Sequence, residues 1–92
     1  MLERKAVIAS RIGLHARPAG IFAEAVSAYT IEVTIALEED SAEDAMDASS
    51  ILSLMSLGAA NGDVVVLRAE GEGAVEALEE LVKLLETDLD AE

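Results

Sequence analysis

The sequence predicts an α/β two-layer sandwich on an antiparallel sheet, with elements in the order βαββαβα. Three observations carry that expectation. Residues 31–37 alternate cleanly between apolar and polar; residues 16–27 and 74–87 carry apolar side chains at helical spacing; and glycine-bearing turns leave hairpin-length links between short apolar runs.

Arg-Lys-Ala-Val-Ile-Ala-Ser at 4–10 reads as the first strand, and Arg11-Ile12-Gly13-Leu14 as the turn that ends it. Ala19, Phe22, Ala23 and Val26 recur at i, i+3, i+4 and i+7, which predicts an amphipathic helix over 16–27. Pro18 falls in its first turn, where the missing N–H costs no intrahelical bond. Ile31, Val33, Ile35 and Leu37 share one face of a half-buried strand. The acidic stretch from Glu38 to Asp47 reads as a turn followed by a short edge strand at 43–47, and 48–58 as a short helix. Ser49 or Ser50 is its N-cap and Gly58 its stop. Asn61-Gly62 marks a tight turn before a β-branched strand at 64–69. After Gly71 and Gly73, Val75, Leu78, Leu81, Val82, Leu85 and Leu89 trace one face of a final helix over 74–87.

The length of 92 residues fits one domain spanning 1–92. There is no cysteine, which excludes disulfides and thiolate metal sites. No secretory leader is recognisable and no apolar run approaches the ~20 residues a bilayer span needs, so a cytoplasmic protein without membrane insertion is expected. The formal net charge is −13 and unevenly spread. Residues 1–17 hold Arg4, Lys5, Arg11 and Arg17 against Glu3; from Pro18 onward 18 carboxylates face only Arg68 and Lys83. Such a body repels nucleic acid, and one Phe with one Tyr offers no platform for stacking bases. The same repulsion favours a monomer.

The lone histidine, His15, stands in Gly13-Leu14-His15-Ala16-Arg17-Pro18, directly before the first helix. Unpaired N–H groups of a first helical turn, with the helix dipole, favour an anion beside that ring. The Arg17 guanidinium adds a charge-assisted donor, and a neutral imidazole is nucleophilic near pH 7. The corner therefore suits accepting, holding and releasing a phosphoryl group. Ala16, Ala19 and Gly20 leave room for a partner's backbone. One histidine without cysteine argues against a free-standing hydrolase or metalloenzyme, and the carboxylates of 38–47 lack the spacing of a calcium loop.

This hexapeptide resembles the active-site signature of the histidine-containing phosphocarrier protein (HPr) family of the bacterial phosphoenolpyruvate:sugar phosphotransferase system. Ser50-Ile51-Leu52-Ser53-Leu54-Met55-Ser56-Leu57-Gly58 is similar to that family's second signature, around a regulatory serine. The resemblance implies an open-faced sandwich, with three helices on one face of a four-stranded sheet. It also implies a carrier rather than an enzyme. Enzyme I would phosphorylate His15 on Nδ1, the Ala16 N–H and the Arg17 side chain would hold the phosphate, and Pro18 would shape the helix start. The group would then pass to an enzyme IIA. No cofactor or metal is implied on the chain itself.

Ala16, Gly20, Ile51 and Leu52 would form the partner-docking patch, with Leu54 and Leu57 inside. Ser50 matches the regulatory serine, the target of a serine kinase in some members, and is equally a plain helix cap. Many members carry lysines where this chain has Glu24, Ser27, Ser49 and Ser53. An HPr paralogue in a regulatory or nitrogen-branch relay, or a purely regulatory binding module, is the alternative. The module would be expected to lack the histidine.

Overall fold

The computed structural model describes residues 2–10, 13–14 and 16–87. The strands are β1 (Leu2–Val7), β2 (Val33–Leu37), β3 (Met46–Asp47) and β4 (Val64–Ala69); the helices are α1 (Ala16–Ser27), α2 (Ile51–Leu57) and α3 (Ala74–Leu85). The strands form one antiparallel sheet in the order β1-β4-β2-β3. The expected α/β sandwich, with its four-stranded antiparallel sheet and three helices, is the architecture observed.

Strand alternation sorts the residues. Ala6 and Ile8, Val33 and Ile35, and Val65, Leu67 and Ala69 join one buried cluster with Phe22, Leu54, Leu78, Leu81 and Leu85 of the helices. Complete burial of Phe22 alone contributes roughly 1.5–3 kcal/mol. Among the described residues no helix covers the other sheet face, yet Val66 is only 4% exposed and Ala36 only 1%. They lie side by side in the register Lys5–Val66–Ala36. Lys5 Nζ reaches Glu38 Oε2 at 2.8 Å, so this ion pair arches over β4 and its apolar stems cover the strand. The Glu38 carboxylate, by hydrogen bond and then by charge, holds the Lys5 ammonium above its ordinary range. Arg68 Nε donates to Glu3 Oε2 at 2.9 Å in the neighbouring row.

Several boundaries differ from the sequence reading. The first strand ends at Val7 rather than 10, because the N–H groups of Ile8 and Ala9 turn to Asp63 O and Leu85 O. Strand β2 starts at Val33, with Ile31 packed on the core outside the ladder. Much of the expected edge strand at 43–47 is a 3₁₀ turn, Ala42–Asp44, with Asp44 N–H bonded to Ser41 O and Ser41 Oγ to Asp44 Oδ2. Helix α3 stops at Leu85, and Val75, expected on its apolar face, is 44% exposed. Ala74 and Ala77 are buried in that stripe with Leu78, Leu81 and Leu85; Leu89 lies outside the described residues. No helix among the described residues is long and apolar enough to cross a membrane.

Exposed Glu76 and Glu80 of α3 stand at i and i+4, a like-charge pair within a strongly acidic surface. Replacing Glu80 with Lys turns repulsion from Glu76 into attraction but exchanges an attraction to Lys83, three residues on, for repulsion. The gain left is the relief of a strongly acidic surface, about 0.2–0.5 kcal/mol at low salt, with most of it lost by about 0.5 M NaCl. Urea unfolding at two salt concentrations measures both. A destabilised Glu80→Lys, or a gain indifferent to salt, contradicts this reading of the surface.

Candidate functional site

The chain on both sides of His15 is fixed by backbone bonds to two other parts of the fold. Ile8 N–H donates to Asp63 O at 2.9 Å and its carbonyl accepts from Gly62 N–H at 2.8 Å. Ala9 N–H donates to Leu85 O at 3.1 Å, taking up a carbonyl at the end of α3 that has no acceptor duty within the helix. Glu86, just past that end, accepts the Val7 N–H on Oε2 at 3.2 Å. The Asn61 amide then donates to both Ala9 O (3.1 Å) and Ser10 O (3.2 Å). Gly13 N–H closes a turn onto Ser10 O.

Gly13 is the tightest point. Its φ is +84°, and a Cβ there would collide with Ala59 O and lie 2.9 Å from Ala60 Cα. Only glycine meets both demands without strain. Leu14 N–H donates to the same Ala59 carbonyl at 3.0 Å while its side chain is buried. Ala16 then opens α1. His15 itself lies outside the described residues, as does Arg11. Its neighbours on either side, Leu14 and Ala16, are placed.

Ala16 and Arg17 are exposed in the first turn of α1, where backbone N–H groups lack intrahelical acceptors. Pro18 in the same turn is buried, anchoring the helix start. Gly20 lies where α1 meets α2: a Cβ there would sit 4.0 Å from Ile51 Cδ1. Leu54 and Leu57 face inward. Ile51 and Leu52 face outward, Leu52 with 76% exposure. Met55 (46% exposed) and Ile21 extend the same apolar surface; neither was assigned to it from the sequence.

Ser50 is the N-cap of α2, its Oγ accepting from Ser53 N–H at 3.2 Å, and Gly58 ends the helix at φ +70°. Upstream, Asp47 Oδ1 accepts from Ser49 Oγ (2.6 Å) and Ser49 N–H (2.9 Å). These bonds hold the Asp47 carboxyl below the usual range. The stability they contribute is present above the ordinary carboxylate pKa and lost as pH falls through the lowered value.

The corner is an exposed rim rather than a cavity. A cleft of about 450 Å³ lies at the other end of α1, lined by Val26, Ser27, Tyr29, Ile31, Asp47 and Ser49 among others. The role of Asn61 was missed: the sequence marks it only as a turn residue, and nothing local signals that its side chain reaches residues 51 and 52 positions away.

The family model described as PTS HPr component phosphorylation site matches residues 2–87. The phosphocarrier protein HPr of Streptomyces coelicolor is 42% identical over 90 residues, 98% of this chain and 94% of that protein. The HPr-like protein Crh of Bacillus subtilis is 36% identical over 89 residues, covering 97% of this chain and 100% of Crh. The crystal structure of HPr-C-His from Thermoanaerobacter tengcongensis superposes with a TM-score of 0.84 at 36% identity, over 100% of this chain and 99% of that one.

If the approach to His15 depends on the Gly13 contact, Gly13→Ala should destabilise the fold by about 2–4 kcal/mol, through both a left-handed alanine and the Ala59 clash. Asn61→Ala, which leaves two carbonyls to water at the surface, should cost about 0.5–1.5 kcal/mol. Chemical denaturation measures both; a Gly13→Ala chain as stable as the parent would contradict the contact.

Proposed function

The chain belongs to the HPr family of phosphotransferase-system phosphocarriers, and we propose that it carries phosphate from enzyme I to sugar-specific enzyme IIA on His15. Neutral imidazole Nδ1 supplies the lone pair to phosphorus. The new N–P bond forms as the bond to the donor breaks, and the donor keeps that bonding pair. The Ala16 N–H and the Arg17 guanidinium hold the transferred group, whose charge the start of α1 also favours. Transfer to enzyme IIA reverses these events. The apolar surface of Gly20, Ile21, Ile51, Leu52 and Met55 receives both partners in turn, and Pro18 fixes the helix start. The chemistry of phosphoenolpyruvate and its Mg²⁺ belongs to enzyme I.

The observation that carries the reading is the pinned frame on both sides of a histidine. Leu14 is locked to Ala59 and Ala16 begins α1, so the backbone before and after position 15 is held at the start of the helix, with Ala16 and Arg17 exposed beside it. A fixed frame of this kind lowers the barrier to transfer by reducing the search for orientation. Ser50 is the position a serine kinase would modify, at the expense of its cap on Ser53. A purely regulatory binding module, the alternative the sequence leaves open, has no use for the His15 and Arg17 pair present here.

Incubation with enzyme I of its own system, phosphoenolpyruvate and Mg²⁺ should add one acid-labile phosphoryl group (~80 Da), seen by intact mass and absent in His15→Ala. Arg17→Ala should slow the gain about 10- to 100-fold, the loss expected of one charge-assisted hydrogen bond. No gain with an enzyme I shown to be active refutes the carrier reading.

A further inference from the structure

On the reading just given, we infer that the α1–α2 face is electrically polarised along its length, and that it fits partners presenting an anionic group over Arg17 and a cationic rim opposite Glu24 and Asp47.

The polarity follows from where the charges fall. Arg17 and Glu24 are seven residues apart in α1, about 10 Å along the axis and within about 20° of the same direction. Both are exposed. Gly20 and Ile21 lie between them. From Ala48 to Gly62 the chain has no charged residue, so α2 brings only Ile51, Leu52, Met55 and serines to this face.

The helices run in opposite senses across it. Ala59, after α2, touches Gly13 before α1, whereas Asp47 and Ser49, before α2, line the cleft beside Val26 and Ser27 at the far end of α1. Asp47 therefore stands at the Glu24 end. Its carboxylate accepts two hydrogen bonds from Ser49.

One end is thus cationic, the middle apolar and neutral, the other end anionic, within a molecule of net charge −13. A partner with an acidic rim meets repulsion from both the far end and the whole body. A partner with an acidic transferable group and basic residues beyond the apolar centre meets complementary charge at each end. The separation is close to the Debye length of about 10 Å at 0.1 M salt, so both ends act in docking.

The test is titration calorimetry of enzyme I of the same system against the chain, Glu24→Gln and Glu24→Lys, at about 0.05 and 0.5 M NaCl. Glutamine and lysine are both good helix formers, so α1 tolerates either. At low salt the Gln variant should bind about threefold and the Lys variant about tenfold more weakly, and both losses should shrink at high salt. Equal or tighter binding by Glu24→Lys overturns the inference. Intact mass of the parent chain separates the two readings. With a normal phosphoryl gain, tighter Lys binding defeats the polarity alone. With no gain, the carrier reading falls, and the polarity with it.

Discussion

The close approach of Gly13 to the carbonyl of Ala59 is the contact on which the functional corner depends. It joins the chain entering α1 to the chain leaving α2, two segments more than 40 residues apart in sequence. One carbonyl does two things there. It occupies the space a side chain at 13 would need, and it accepts the N–H of Leu14. The direction in which α1 starts, the depth of Leu14 and the separation of the two helices at Gly20 and Ile51 are set by that junction.

The rest of the corner reads as reinforcement from three directions. Leu85 at the end of α3 takes the Ala9 N–H, Asp63 and Gly62 bracket Ile8, and Asn61 holds two carbonyls of the turn. All of this rigidity surrounds a surface that is small, apolar and open. That combination suits a protein that must present one group accurately yet release each partner quickly. Rigid geometry accelerates transfer, whereas a small interface with few anchoring side chains keeps association weak.

Much of this was legible in the sequence where the signal is local. Helix α1 spans the 16–27 of its apolar spacing, β4 the 64–69 of its β-branched run, and α2 ends at Gly58 after a serine cap. The fold class followed from those periods and links. What was not legible depends on distant partners. The end of β1 is decided by acceptors at Asp63 and Leu85, the reach of Asn61 by a turn across the molecule, and the burial of Ala74 rather than Val75 by the rotation at which α3 meets the sheet. Met55 is exposed because it stands four residues after Ile51 and three after Leu52, on the outward stripe of α2; hydropathy alone placed it inside as readily as out.

The central claim is that the corner is built before the phosphoryl group arrives. Amide ¹H–¹⁵N spectra of the chain before and after phosphorylation by enzyme I test it directly. The predicted result is large downfield shifts confined to residues 14–17 and their immediate neighbours, with the amides of Ile8, Ala9, Ala59 and Gly62 unmoved. Comparable shifts spread through those four amides would show a corner that assembles around the phosphate, and would contradict the account.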